Sequence, residues 1–147
     1  MKLPLTLLAL LAATTALAQE RIPEKEAQRA AHKLIDALGQ PTDAPYTADV
    51  DPDQPNGFKG GGVGLMALPD RKLTVHGLEH AEKDLLPVGQ LWALSARLAT
   101  GGRAIARDQV RMVTIKDGDS SKDVELYYLG AAKNDAGELQ LVIFAKD

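Results

Sequence analysis

The chain of 147 residues has no cysteine. This excludes disulfides, a cysteine nucleophile and a lipid-modified cysteine at the head of a processed chain. No G-x-S-x-G string occurs, and Ser95, Ser120 and Ser121 fall in strand and turn patterns rather than at a nucleophile elbow. Positive charge is in deficit, with 17 Lys and Arg against 20 Asp and Glu. That balance argues against nucleic acid or an anionic lipid surface as partner. The densest basic spacing, Arg103, Arg107 and Arg111, has Asp108 set among it and reads as solvated positions. No apolar run reaches the roughly 20 residues that a spanning helix requires.

What is present begins with a leader. Met1-Lys2 is a short positive region, residues 3–16 ("LPLTLLALLAATTA") are apolar, and Ala16-Leu17-Ala18 places small residues where a signal peptidase reads them. The expectation is a signal peptide over 1–18, cleaved after Ala18, with no membrane span left afterwards. Removing the first 18 of the 147 residues leaves 129, and losing Lys2 leaves 16 basic against 20 acidic side chains, a net charge of −4. Such a chain is expected in the periplasm, outside the cell or on the cell surface of a bacterium. That oxidising space permits disulfides and the chain uses none, so a packed core must suffice, as it can at this length.

The mature part changes character along its length. Residues 19–40 hold the best helix pattern: Pro23 at the start, Glu24 and Glu26 in the first turn, Ala27, Ala31, Leu34 and Leu38 on one stripe, then Gly39 and Pro41. His32 falls on the polar side. Residues 41–62, rich in Pro, Gly and Asp, read as a linker loop without regular structure. Residues 63–147 read as an antiparallel β domain. Strands are expected over 63–69, 88–99, 108–116, 124–132 and 137–147, with turns at Gly101-Gly102, 117–123 and 133–137, and a short helix from about 75 to 85 ended by Pro87. Short connections between the last strands require antiparallel pairing, because parallel strands need long crossovers. The expected fold class is therefore α+β: an N-terminal surface helix, a long Pro/Gly-rich loop, then a small antiparallel sheet, sandwich or barrel with one short helix.

Finer expectations follow from alternation. Trp92, Leu94, Ala96 and Leu98 should share one strand face. Adjacent Tyr127 and Tyr128 must point to opposite faces, which puts one of them near the surface. Val142 and Phe144 make the last strand apolar on both faces at its centre, as in an interior strand or one covered by the helix.

One string carries chemistry. His76-Gly-Leu-Glu79-His80 spells H-x-x-E-H. On a helix, residues four apart share a face, so both imidazoles can converge on one Zn²⁺ while Glu79 reaches a metal-bound water as general base. The string resembles the metal-binding string of the inverzincin peptidases, the pitrilysin and insulinase group; the resemblance covers five residues. It implies a metal-dependent hydrolase with His76 and His80 as metal ligands and Glu79 as catalytic base. A third ligand is needed. Asp84 lies about 12 Å along the helix axis from His76, too far to share the ion, and Glu125 is the remote candidate. The competing reading is a solvated surface segment, and it is preferred.

Other motifs are weaker still. Gly60 to Gly64 and the G-x-G-x-x-A spacing of Gly62, Gly64 and Ala67 follow a loop and precede a strand, whereas a dinucleotide site needs strand then helix. Asp49, Asp51 and Asp53, and likewise Asp117, Asp119, Ser121 and Asp123, alternate oxygen ligands as calcium loops do, but without the glycine or helices of an EF-hand. Zinc or calcium thus remain the candidate ions. The preferred expectation is an exported, non-catalytic domain that binds an extracytoplasmic protein or a cell-surface polymer. Its alternative is the hydrolase. The first requires an exposed apolar or edge-strand surface, and the second a bound metal with a third ligand.

Overall fold

The computed structural model describes residues 19–145, so the signal peptide expected over 1–18 lies outside the described residues. Two α-helices, nine strands and a 3-10 turn at Arg107–Gln109 are the regular elements of the described residues: β1 (Glu20–Arg21), α1 (Glu24–Leu38), β2 (Asn56–Gly60), β3 (Val63–Pro69), α2 (Val75–Glu79), β4 (Leu86–Leu94), β5 (Ala99–Thr100), β6 (Arg103–Ala104), β7 (Arg111–Asp117), β8 (Ser120–Lys133) and β9 (Leu139–Phe144). All strand pairings are antiparallel. The sheet runs β1-β2-β3-β4-β8-β7, and β9 also pairs with β8. It is an open sheet with a helix packed on it, which agrees with the expected α+β class; no barrel closes. No helix among the described residues is long and apolar enough to cross a membrane.

β8 organises the sheet. Its first half, Ser120 to Leu126, pairs with β7, and its second half, Tyr128 to Lys133, pairs with β9. β4 pairs with Glu125 to Ala131, overlapping both, so β7 and β9 share the side of β8 away from β4. The alternating register then sorts every side chain. Met66, Trp92, Val113, Val124, Leu126 and Tyr128 face α1 and form the main core with Ala27, Ala31 and Leu34 of the helix. The opposite side holds a smaller cluster around Ala93, Val110 and Tyr127.

The elements have local causes. α1 starts after Pro23, whose ψ of 140° is extended, and Glu24 and Glu26 complement the positive end. It stops at Gly39, where φ is 64° and the backbone N–H returns to the Ile35 carbonyl. The two-residue turn between β2 and β3 is Gly61-Gly62, with φ of 58° and 81°, values that favour glycine at both positions. This corrects the expected linker: residues 56–60 form β2, because a strand with its own glycine hairpin can pair on β3. The rest of that stretch is packed too. Val50 bridges Asp70, and Tyr46 stacks edge-on against Tyr128 at 5.6 Å. The Tyr46 hydroxyl lies against the carbonyls of Gly89 (2.7 Å) and Leu129 where β4 bulges. Gln28 and His32 of α1 hold Asp53 at 2.9 and 2.8 Å.

Four further expectations are corrected. The helix expected from 75 to 85 is only α2, five residues long: the backbone leaves the helix at His80, and β4 begins at Leu86 with Pro87 in its bulged end. Trp92 and Leu94 do face the helix, but Ala96 and Leu98 pack in the cluster on the other side. The chain turns between them at Ser95, whose φ of 55° is unusual for a residue other than glycine. Tyr127 and Tyr128 are both buried, at 0% and 2% exposure, because the segment 95–110 covers one face there and α1 with the 39–55 arm covers the other. The last strand is not interior. Among the described residues β9 pairs with β8 alone.

Candidate functional site

The outer edge of β9 is the most exposed apolar feature of the sheet. Leu139, Leu141 and Ile143 project to the side away from α1, at 48%, 61% and 44% exposure. Their register partners on β8 are Lys133, Ala131 and Leu129. Phe144, on the other side of the same strand, packs against the main core and anchors it. The strand reads "LQLVIF", with no charge and no proline. Natural edges are usually blunted by a lysine, a proline or a bulge, since a row of unpaired N–H and C=O groups recruits other strands. β9 carries none of these between its ends.

α2 holds the histidine cluster. Thr74 caps the helix by accepting from the Gly77 N–H at 2.9 Å, and His80 closes it with its own N–H on the His76 carbonyl. The rings of His76 and His80 lie 4.0 Å apart between centroids, tilted by 35°. Metal-ligating atoms of His76, Glu79 and His80 come within 4.8 Å of one another, the only such trio among the described residues. All three side chains are exposed. The sequence therefore located a real convergence. In it, Glu79 stands as a potential third ligand, which uses the carboxylate that a hydrolase would need as base. His80 Nδ1 lies 2.9 Å from the His76 carbonyl, an orientation that leaves Nε2 as the ring's ligand atom.

Glu125, the remote candidate for third ligand, is elsewhere. It pairs with Ala93 in register, six positions along β8 from Ala131, which faces Leu86 near α2. Six strand residues span about 20 Å. Its carboxylate is also occupied: Arg97 Nη2 and Nε lie 2.7 and 2.8 Å from one oxygen, and the Tyr127 hydroxyl donates to the other at 2.6 Å. Tyr127 in turn accepts the Leu98 N–H at 3.3 Å. This network, buried at Glu125 and Tyr127 and open to solvent at Arg97, clamps the 95–110 segment onto the sheet. Burial first, then the bond to Glu125, raises the Tyr127 pKa to about 12. Nothing in the linear sequence marks it, since Arg97 and Glu125 are remote and Ser95 breaks the alternation that would have aligned them.

The two acidic strings do not bring three carboxylates together. Asp49 and Asp51 are both paired with Arg71, at 3.5 and 3.4 Å, and Asp53 is held by His32. Residues 117–120 close a two-residue hairpin turn around Gly118 and Asp119, and Asp123 takes Thr114 at 2.7 Å and Arg107 at 3.4 Å. Protein cations or hydroxyls already occupy Asp49, Asp51, Asp53 and Asp123.

Comparison with protein-family models, with curated proteins and with solved structures finds no match to this chain, so its site is read from its own geometry.

Proposed function

We propose that the chain is an exported, soluble, non-catalytic domain that binds an extracytoplasmic protein by adding an extended segment of it to β9. The observation that carries this reading is the uncharged edge strand with Leu141 at 61% exposure. Strand addition supplies main-chain hydrogen bonds for affinity, while the alternate apolar side chains select their counterparts. A protein partner fits better than a surface polymer. Sugars are usually gripped by several exposed aromatic faces, and here Trp92, Tyr127 and Tyr128 are buried and Phe58, at 42%, is the exposed one among the described aromatics.

The test is a selection of displayed random peptides on the chain 19–147, repeated on the Leu141→Lys and Ile143→Lys variants. Both side chains are exposed, so each variant should change stability by no more than about 0.5 kcal/mol. Peptides with alternating apolar residues should be enriched on the wild type and lost from both variants. Enrichment that ignores the two substitutions would defeat the proposal.

A second reading, a metal-dependent hydrolase, is favoured by the approach of His76, Glu79 and His80 alone. It requires about one zinc per chain, lost in the double variant His76→Ala, His80→Ala, measured on untagged protein purified without chelator.

A further inference from the structure

On the face opposite the Leu139, Leu141 and Ile143 ridge, α1 does not seal against the sheet along its whole length. A cleft of about 480 Å³ remains between them, within the usual range for small-molecule sites. Its walls are apolar: Leu34 of the helix and Met66, Trp92, Leu94, Ile115 and Val124 of the sheet. Two small residues leave the room. Ala30 lines it from the helix and Gly64 from β3.

The rim has the opposite character. Arg29, Lys33, Lys116 and Lys122 line the cleft, against Glu26 and Asp117. Both acids are already engaged, Glu26 by Lys59 at 3.0 Å and Asp117 by Lys33 at 3.8 Å. Arg29, Lys116 and Lys122 make no ion pair among the described residues. Unpaired cations gathered round an apolar cleft run against the net acidity of the chain. An uncharged apolar ligand would leave those cations unused, and a small inorganic anion would leave the apolar walls unused.

We infer that this cleft binds a single-chain fatty acid, with the alkyl tail against the partly buried Ala30, Leu94 and Ile115, above the core floor that Trp92 forms, and the carboxylate at the Arg29 and Lys122 rim. The site is independent of β9. Burial of the tail supplies affinity in proportion to the apolar area covered, and the cations select the charge of the head group.

Trp92 is the only tryptophan of the chain and lies among the residues lining this cleft, so its emission reports on a quencher seated there. The chain 19–147, which contains every described core residue, is titrated with a long-chain fatty acid brominated in its tail, below micelle formation. Trp92 emission should fall saturably. Gly64→Leu should abolish the effect, since its φ is not left-handed and a Cβ there would meet only Leu94, at 3.5 Å or more. Ala30→Leu fills the same space from the helix side and is read beside it, with circular dichroism checking the fold of each. Arg29→Ala combined with Lys122→Ala should weaken binding about tenfold, and a brominated alcohol of the same chain length should bind the wild type about tenfold more weakly than the acid. Ile143→Lys should bind the acid as the wild type does, which separates this site from the β9 edge. Absence of saturable quenching, quenching that survives both cleft-filling variants, or equal binding of acid and alcohol would overturn the inference.

Discussion

Gly89 occupies a backbone position that no other residue can take. Its φ is 149°, and a Cβ there would stand 2.1 Å from the Leu68 carbonyl oxygen. The close approach lets β4 bulge between Pro87 and Gly89 while still pairing β3 and β8. Gly89→Ala should therefore cost about 3 kcal/mol or more, read as a lower urea midpoint. Tyr46 lies against the Gly89 carbonyl at the same bulge, and burial raises its pKa to about 12, as burial does for Tyr127. Both tyrosines hold their protons more tightly folded than unfolded, where the pKa is about 10. Their contribution is complete below pH 10 and is lost as pH rises towards 12, by up to about 1.4 kcal/mol per pH unit for each. Urea midpoints measured from pH 9 to 12 should fall across that window, and more shallowly in Tyr46→Phe. A midpoint flat to pH 12 would contradict this.

At the scale of elements, the sequence was most legible where one period ran without interruption. α1 was readable from Pro23, the Ala27, Ala31, Leu34 stripe and Gly39, because composition, capping and burial all agree there. β3, β7 and the core of β8 were readable for the same reason. The failures have specific causes. β2 carries two glycines in five residues, so propensity alone could not reveal a strand that depends on pairing with β3. Ser95, with its positive φ, inverts the alternation after Leu94, and the Glu125–Arg97 pair that holds the segment beyond it joins residues remote in sequence. The interior placement of β9 fails because an apolar strand reads alike whether its neighbour is present or missing. Its pattern shows which side chains face the core, and Phe144 does, but cannot show how many of its edges are paired. The histidine cluster was legible as spacing, while the real length of α2 and the engagement of Glu125 were not.

The whole molecule has two different faces on one antiparallel sheet. The α1 face encloses the main core and leaves a basic-rimmed cleft. The other is closed near Tyr127 by the 95–110 segment and left open along Leu139, Leu141 and Ile143. The proposed strand addition accounts for the open edge, and neither the histidine cluster nor the acidic strings are needed for it. The most direct test of that claim is amide hydrogen exchange along the chain, mixed with the tightest peptide from the display selection. Binding at the edge predicts that the outward-facing amides of β9 slow markedly, while those of β1 and α2 exchange as in the free protein. Slowing around α2 instead, or none along β9, would contradict the account.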